Sequence, residues 1–477
     1  MNLLPSAAHA TKTEVGWHVQ LAQRHDVTLK RQIRKLPRDT GVTGWNAILG
    51  PAPAYPEAEG EISADWLVIG GGFAGLSAAK RLTELRGGDR IIVLEAGRIS
   101  EGPAGRNSGF MIDLPHELSG DGYAGSAEGD RLQVTLNRHA QDFARAAAAE
   151  YDMPDEAVDS IGRVNGAVNA SGETHNAAYA DQLDLLGETY KSLDAAEMKE
   201  LTGSDFYRSG LFMPGAVMLQ PALYTREMAA GLTGKERSPV DIFETSPATG
   251  YEQQGDSWLV TTPKSRIAAK RVIMAVNGHA ESFGFFRQRL MHVFTYASMT
   301  EALNPAQMRA LGGMPAWGIT PADPMGSTVR RHNGIGGNRI IIRNRWSYDP
   351  SMEVSEARVA TFRRDHERAF RRRFPMLDGV EMTHSWGGRL CLSRNSVPAF
   401  GEVETGFFSA CCQNGLGTAK GTLAGIGAVE LATRSNSPIV QDLQSYDAPQ
   451  KLPPGPIAKL GATLLIRWRE WKAGAEI

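Results

Sequence analysis

Four glycines separate an apolar run from an alanine- and leucine-rich stretch in DWLVIGGGFAGLSAAKRL, residues 65–82. The apolar run Asp65–Ile69 predicts a buried strand, and the apolar residues of Phe73–Leu85 recur at helix spacing. A break at 86–89 leads into Ile91–Leu94, which predicts a second buried strand. A strand–helix–strand unit of about 30 residues pairs its strands in parallel, so this stretch predicts an α/β fold.

The glycines follow the spacing Gly70-x-Gly72-x-x-Gly75, which is the dinucleotide-binding fingerprint. Gly70 allows a tight turn, Gly72 lets a diphosphate approach the backbone, and Gly75 lets helix and strand pack closely. The diphosphate then lies at the helix N-terminus, which favours anions. Glu95, at the end of the second strand, is placed to bind both ribose hydroxyls and would repel the 2′-phosphate of NADP. The fingerprint alone does not separate FAD from NAD.

Two later segments favour a long ligand that ends in a flat ring. In EAGRISEGPAGRNSGFM, residues 95–111, small residues and an arginine would follow the ligand beyond the ribose, although the same pattern suits a surface turn. In CCQNGLGTAKGTLAGIGAVELA, residues 411–432, Gly415 and Gly417 follow the strand-like Phe407–Cys412. Small side chains there would let a ring lie against the turn at a helix N-terminus, or would serve close helix packing.

Length, charge and hydropathy exclude several classes of protein. A chain of 477 residues predicts two or three lobes, and a net charge of −2 argues against a nucleic-acid partner. Neither a secretory signal nor a membrane span of roughly 20 apolar residues is recognisable, and the three cysteines fit a reducing compartment. We therefore expect a cytoplasmic protein without a transmembrane segment. The 11 histidines show no metal-ligand spacing, so no metal is expected.

The tail 451–477 is basic and amphipathic, and it contains Trp468 and Trp471. This pattern predicts a C-terminal amphipathic helix. We expect the helix to pack on its own domain or on a protein partner, and contact with a membrane surface is the less favoured alternative.

Five segments between about Ala64 and Thr433 read ADWLVIGGGFAGLSAAKRL, VLEAGRI…GPAGRNSGF, VIMAVNGHA, HSWGGRLCLSRNSVPAFGEV and QNGLGTAKGTLAGIGAVELA. Together they resemble the D-amino-acid-oxidase-like (DAO) superfamily of FAD-dependent oxidoreductases, nearest its γ-glutamylputrescine oxidase and glycine/sarcosine oxidase branch. The resemblance implies an α/β fold, α+β overall, in which a Rossmann-like FAD-binding domain built from discontinuous segments joins an antiparallel-sheet substrate domain. The implied boundaries are 1–62 for an N-terminal extension, 63–125, 205–285 and 380–450 for the FAD-binding domain, 126–204 and 286–379 for the substrate or cap domain, and 451–477 for the C-terminal helix.

The resemblance and the motifs together assign the cofactor contacts to the two glycine turns and the segments beside them. The expected residues are Gly70, Gly72, Phe73, Ala74, Gly75, Glu95, Ala96, Arg98, Ala104, Gly105, Arg106, Asn107, Ser108, Gly109, Ala248, Gly388, Gly415, Leu416, Gly417, Thr418 and Lys420. Cys391 is offset from the cysteine that attaches FAD in sarcosine oxidase, so non-covalent FAD is expected. Lys420 is one position past the lysine that holds the substrate carboxylate in such enzymes.

The activity that the resemblance implies is oxidation of the C–N bond of an amine or amino acid. A hydride passes from the carbon beside nitrogen to flavin N5, the imine hydrolyses, and O₂ is the expected acceptor, giving H₂O₂. His292 and Tyr296 lie on a strand that borders the flavin in relatives. Arg331 and Arg343 flank the hairpin-like HNGIGGN and would hold a substrate carboxylate, unless they pair with surface acids instead.

Three other functions remain open from the sequence. The enzyme could pass electrons to a quinone or a carrier protein, since oxygen access depends on a few side chains near the flavin. A non-catalytic flavin-binding or assembly protein would keep the same fingerprint. Oxidation of a C–C bond or a hydroxy acid also suits the fold. A disulfide reductase is disfavoured, because GIGGNR and GIGAVE lack the third glycine of a second fingerprint and Cys411 and Cys412 are adjacent.

Overall fold

A computed structural model describes residues 29–115, 127–234 and 238–477. Residues 1–28 of the predicted N-terminal extension lie outside these ranges, as do 116–126 and 235–237 of the predicted domain segments. The strands are β1 (Lys30–Gln32), β2 (Gly60–Ile69), β3 (Ile91–Leu94), β4 (Phe110–Met111), β5 (Val158–Asp159), β6 (Arg163–Ala167), β7 (Lys191–Leu193), β8 (Ser209–Met213), β9 (Val217–Leu219), β10 (Val240–Phe243), β11 (Gly250–Gln254), β12 (Ser257–Thr261), β13 (Ser265–Met274), β14 (Leu290–Thr300), β15 (Trp317–Pro321), β16 (Thr328–Gly334), β17 (Gly337–Tyr348), β18 (Met382–Ser393), β19 (Ala399–Glu404) and β20 (Phe407–Cys411).

The helices lie between these strands and after them. They are α1 (Gly44–Leu49), α2 (Phe73–Leu85), α3 (Ala127–Glu150), α4 (Ala170–Leu186), α5 (Ala195–Thr202), α6 (Pro221–Thr233), α7 (Pro305–Leu311), α8 (Glu356–Arg373), α9 (Ala419–Ala432), α10 (Pro438–Ser445) and α11 (Gly455–Ala473). Within the described ranges, none of them is both long enough and apolar enough to cross a bilayer.

The first sheet contains nine strands within the described ranges, in the order β1-β11-β12-β13-β2-β3-β10, with β20 beside β13 and β19 beside β20. Its centre is parallel: β2 pairs with β3 and with β13, β3 pairs with β10, and β13 pairs with β20. Trp66 lies opposite Ile91, and Ile69 lies opposite Leu94. The predicted parallel strand–helix–strand unit is therefore confirmed.

Both faces of the first sheet are buried. Val68 and Val93 point into a core shared with α2, α3, α6 and α9, and Leu67 and Ile92 point into a second core that includes Trp258. Alternate residues of a strand face opposite sides, so continuous apolar strands suit a sheet that is covered twice. This arrangement leaves the ends of the strands, rather than their faces, for a ligand.

The second sheet has the order β18-β14-β17-β16-β15-β6-β8-β7 within the described ranges. Its pairs are antiparallel except β15 with β6. The mixed α/β fold with an additional, mainly antiparallel sheet agrees with the predicted fold class. β8 and β18 belong to this sheet although they fall in segments assigned to the FAD-binding domain, and the domain boundaries themselves stay a prediction.

Residues 30–49 are built into the body of the protein. β1 pairs antiparallel with β11, which adds an edge strand to the first sheet. α1 carries Trp45, which is fully buried, and its indole donates a hydrogen bond to the Asn107 carbonyl at 2.9 Å. The sequence predicts only an extension here. β1 and α1 were not predicted, because their partners, β11 and Asn107, are distant along the chain.

Candidate active site

An extended cavity runs between the two sheets, past the carboxyl ends of β2 and β3. One end lies at Glu95 and Ala248, the middle at the Gly70–Gly72 turn, and the other end at Thr295 and Arg343. Most of the predicted cofactor residues line it, namely Gly70, Gly72, Phe73, Ala74, Glu95, Ala96, Arg98, Ala104, Arg106, Asn107, Ser108, Gly109, Ala248, Gly388, Gly415, Leu416, Gly417 and Thr418.

The early glycine turn has the geometry that its spacing predicts. Gly70 has φ = +108°, which L side chains rarely adopt. A Cβ on Gly75 would lie 1.7 Å from the Gly70 carbonyl oxygen, so helix and strand touch at this point. A Cβ on Gly72 would meet only the Ala104 methyl, at 3.5 Å, and would otherwise point into the cavity. The space before the N-terminus of α2 is thus open to an anion.

Glu95 is held by the backbone that surrounds it. Its Oε2 accepts a hydrogen bond from the Gly71 N–H at 2.8 Å, and its Oε1 accepts one from the Gly97 N–H at 2.9 Å. Burial raises the pKa of Glu95, and the two backbone hydrogen bonds oppose that rise. Each carboxylate oxygen has a second lone pair, so the group can also accept from two hydroxyls of a ribose.

The arginines after β3 are tied to the protein rather than directed along the cavity. Arg106 donates to the carbonyls of Thr40, Gly41, Glu101 and Gly387 at 2.6–3.3 Å. Its guanidinium therefore joins the N-terminal segment to β18, and the expected cation along the ligand is not offered by this side chain. The same stretch presents backbone groups and small residues to the cavity.

The late glycine turn meets the early one across the cavity. Gly415 has φ = +85°, and a Cβ on Gly417 would have no neighbour within 4 Å. Thr418, which caps α9, donates from Oγ1 to the Phe110 carbonyl at 2.7 Å. The N-termini of α2 and α9 thus face one space, whose walls near α9 are made of backbone and small side chains.

Three predicted cofactor residues do not line the cavity. Gly75 acts through packing, as described above. A Cβ on Gly105 would lie 1.9 Å from the Ser100 carbonyl oxygen, so this glycine also serves a close backbone approach. Lys420 lies in the first turn of α9 but outside the cavity wall.

Arg343 lines the opposite end of the cavity with Thr295, Ala297, Thr320 and Thr328. Its guanidinium lies 4.8 Å from the Trp346 ring centre, and it donates a long hydrogen bond of 3.4 Å to Thr328 Oγ1. No carboxylate in the described ranges forms an ion pair with it. Burial lowers the pKa of Arg343 to about 10, so the group remains a cation at neutral pH.

The structure brings neither His292, Tyr296 nor Arg331 to this cavity. His292 Nε2 lies 2.9 Å from Glu281 Oε2, and the Tyr296 hydroxyl lies 2.7 Å from Ser347 Oγ. Residues alternate between the two faces of a strand, and on β14 the cavity receives Thr295 and Ala297 instead of their even-numbered neighbours.

Arg331 lies on the face of β16 that points away from the cavity. It donates to Asn338 Oδ1 at 3.0 Å and to the carbonyls of Gly312 and Met314 at 2.5 and 3.0 Å. These bonds anchor the loop before β15, and they leave the guanidinium no access to a ligand in the cavity.

His279 and Arg389 are among the cavity residues that were not predicted from the sequence. His279 follows β13 and is almost fully buried; burial lowers its pKa to about 2, and its Nε2 has no hydrogen-bond partner within the described ranges. Arg389 donates to the Met352 carbonyl at 3.1 Å and lies 3.4 Å from Asp39. His279 could have been predicted as a cavity residue, because it follows a strand that is parallel to β2, and the carboxyl ends of such strands border the ligand site.

Comparison with known proteins gives one consistent match. The family model described as "DAO: FAD dependent oxidoreductase" matches residues 65–431. The probable oxidoreductase OrdL of Haemophilus influenzae is 25% identical over 384 residues, covering 76% of this chain and 81% of that protein. The gamma-glutamylputrescine oxidoreductase of Escherichia coli is 24% identical over 414 residues, covering 85% and 90%. The crystal structure of glycine oxidase from Geobacillus kaustophilus has a TM-score of 0.64 at 16% identity, covering 79% and 96%.

Proposed function

This chain belongs to the DAO family of FAD-dependent oxidoreductases, as its motifs predicted, and from that premise we propose that it oxidises the C–N bond of a carboxylated amine. Its relatives and structural neighbours support an amine or amino-acid substrate, because they include gamma-glutamylputrescine oxidoreductase and glycine oxidase. The substrate loses a hydride from carbon and a proton from nitrogen, and water then hydrolyses the imine to a carbonyl compound and an amine or ammonia.

The residues of the cavity fit FAD in its extended form. Glu95 would bind the adenosine ribose, the open space at Gly72 would take the diphosphate, and the turn Gly415–Thr418 would carry the ring. Bound FAD supplies the acceptor for the substrate hydride. The N-terminus of α9 favours negative charge at the edge of the ring.

The observation that carries the substrate class is the isolated cation at the substrate end. Arg343 is half-buried in the cavity wall, charged at neutral pH and without a carboxylate partner in the described ranges. A guanidinium that has lost part of its hydration without gaining such a partner is costly, unless a ligand supplies one. Bidentate pairing with a substrate carboxylate would hold the carbon that loses the hydride at a fixed position.

Replacement of Arg343 tests this assignment. For a carboxylated amine, Arg343→Met is expected to lower kcat/KM roughly 100-fold, since a charge-assisted hydrogen-bonded pair is lost. For the corresponding amine without a carboxylate, kcat/KM should change little. Steady-state kinetics on both compounds measures the difference.

Arg331→Met serves as the comparison, because Arg331 anchors a loop outside the cavity. It is expected to lower the melting temperature and to leave KM for the carboxylated amine unchanged. An unchanged KM in Arg343→Met, or an equal loss for both compounds, would show that the carboxylate binds elsewhere.

We also propose that FAD is bound without a covalent bond. Hydrogen bonding with the Cys412 thiol, followed by burial, raises the pKa of the Cys391 thiol well above its usual value. Cys391 lines the cavity, but a protonated thiol is a poor nucleophile. Acid precipitation should release all yellow colour into the supernatant, and a protein mass increased by FAD would refute the proposal.

O₂ is our proposed electron acceptor. Stoichiometric H₂O₂ during aerobic turnover is the expected result. If substrate reduces the flavin without air, but the reduced enzyme reacts slowly with O₂ and rapidly with a quinone, the enzyme is a dehydrogenase. If no amine reduces the flavin, the protein is not an amine oxidoreductase of either kind.

A further inference from the structure

Helix α11 presents large apolar side chains to solvent on one face. Ile457, Leu460, Leu464, Trp468 and Trp471 recur every three or four residues and therefore form one stripe. Together with Leu465 they make up what we term the outer face, and each of these six side chains is between 48% and 79% exposed. A continuous apolar stripe of this kind marks an interaction surface rather than scattered surface residues.

The opposite face of α11 is fixed to the protein. Ala458, Ala462 and Ile466 pack in a cluster with Trp346 and Tyr348 of β17. Glu470 is buried, accepts a hydrogen bond from the Trp346 N–H at 3.0 Å and lies 3.3 Å from an Arg345 nitrogen. The helix is thus held along its length on the second sheet, with the outer face directed away from the protein.

Positive charge flanks the outer face. Arg467 and Lys472 of α11 lie beside this stripe, Lys459 and Arg469 lie nearer the packed face, and the one acidic residue of the helix, Glu470, is turned inward. The Lys472 ammonium lies 5.9 Å from the Trp468 ring centre, which places a charge beside the apolar stripe.

A second group of cations extends this charge. Arg368, Arg371 and Arg372 of α8 border a surface depression that Trp471 also lines. The carboxylates in the depression, Asp365 and Glu470, are both paired with Arg345, and they also pair with Arg368 and Arg467 respectively. Arg372 donates to the Ile477 carbonyl, and the arginines of this region outnumber its carboxylates. The region around Trp471 is therefore basic, although the whole chain carries a net charge of −2.

We propose that the outer face of α11, with the α8 arginines beside it, binds the surface of an anionic phospholipid bilayer. Apolar side chains and tryptophans enter the boundary between head groups and acyl chains, while flanking lysines and arginines meet the phosphates. The helix lies in the plane of the surface, because its other face is packed on the sheet.

Charge argues against a second copy of this chain as the occupant. A twofold interface brings the same patch of both copies together, so the two sets of lysines and arginines would oppose each other. An anionic bilayer instead neutralises them, and it accommodates the tryptophans without a matching protein pocket.

Flotation of the FAD-loaded full chain with vesicles tests the proposal. Vesicles of equal phosphatidylglycerol and phosphatidylcholine should bind the protein at least tenfold more strongly than phosphatidylcholine alone. The double substitution Leu460→Ser and Leu464→Ser should lower the partition coefficient roughly tenfold or more, because two exposed apolar side chains no longer enter the lipid.

Matched controls separate this effect from a general change of the surface. Leu132→Ser with Leu185→Ser removes two leucines that are also exposed, on α3 and α4, and should leave vesicle binding unchanged. Arg371→Glu should weaken binding roughly tenfold, whereas Arg287→Glu, at an exposed position in the loop before β14, should not. Equal melting temperatures of all variants would establish that they are folded.

Two results would overturn the proposal. One is equal vesicle binding by the protein with and without Leu460→Ser and Leu464→Ser. The other is absence of vesicle binding together with a dimer, detected by light scattering, that the same leucine substitutions dissociate. That second result would assign the outer face to contact between copies of this chain.

Discussion

Two glycines of the early turn have different tasks, and alanine at each should separate them. A methyl group on Gly75 would collide with the Gly70 carbonyl, so Gly75→Ala should destabilise the folded protein by about 1–3 kcal/mol. A methyl group on Gly72 has room in the protein but occupies the space proposed for the diphosphate. Gly72→Ala should therefore fold normally and bind FAD at least tenfold more weakly, as titration of the apoprotein with FAD would measure. Normal FAD affinity in Gly72→Ala would contradict this position for the diphosphate.

The positions of single residues could be predicted where the local backbone conformation alone determines them. Gly70, Gly75 and Glu95 lie within one short local unit, so spacing is enough to place them. Tyr296 shows the opposite case, because β14 contains an irregularity between Thr295 and Tyr296 and only the pairing with β17 decides which residue faces the cavity. Arg343 was predicted beside Arg331, and only the register of β16 with β17 separates their environments. The roles given to these side chains stay predictions until the variants are measured.

At the scale of elements, the contact between α2 and α9 depends on a glycine. A Cβ on Gly425 would lie 2.1 Å from the Ala74 carbonyl oxygen, so Gly425→Ala should lower the free energy of unfolding by about 1–3 kcal/mol. Gly461→Ala on α11 is the control, since a Cβ there has no neighbour within 4 Å. That change should raise stability by about 0.5–1 kcal/mol through helix propensity. Urea unfolding measures the free energy of unfolding of both variants. Equal effects of the two substitutions would show that the contact between α2 and α9 does not depend on Gly425.

Element boundaries were predictable where the pattern is local. α2 was expected over Phe73–Leu85 and β3 over Ile91–Leu94, and the structure has both at those bounds. β2 instead begins at Gly60, because it pairs with β13 over ten residues, a partner that local sequence does not reveal. β1 and α1 were missed for the same reason: their contacts are with distant segments.

At the scale of the whole molecule, acid should destabilise the protein. Burial lowers the pKa values of His279, His332 and His366 to about 2, 3 and 4, so these rings are neutral when folded and gain protons in the unfolded chain below about pH 6.5. Stability is therefore lost as the pH falls through that value. Burial raises the pKa of Glu476 to about 7, and it also raises the pKa values of Glu95, Asp159 and Asp442; these carboxyl groups act in the opposite direction.

The three histidines and Glu476 together make the free energy of unfolding roughly 2 kcal/mol lower at pH 5.5 than at pH 7.5. Urea unfolding at the two values, at constant ionic strength, measures it. The exposed His139 supplies a control, since His139→Gln should leave the difference unchanged. Equal or greater stability at pH 5.5 would mean that the buried rings accept protons in the folded state.

The family and the broad architecture could be predicted from the sequence, because the glycine motifs near residues 70–75 and 415–417 are characteristic of the family that the chain matches. The division of the chain into domains was harder to predict from the sequence. β18 contains the first half of HSWGGRLCLSRNSVPAFGEV, one of the segments that resemble the family, yet it pairs with β14 in the second sheet. Strand pairing between distant segments is decided by packing across the whole molecule, which no single segment encodes.

The two glycine turns that meet across the cavity are separated by about 350 residues of chain. At 5–20 residues per second, a ribosome needs roughly 20–70 s to travel from the first turn to the second. A nascent chain that has emerged only as far as α8 therefore lacks the second glycine turn that would contact a cofactor. FAD would therefore bind late in biosynthesis. A shortage of riboflavin would leave completed apoprotein without its cofactor, and it would not affect the growing chain.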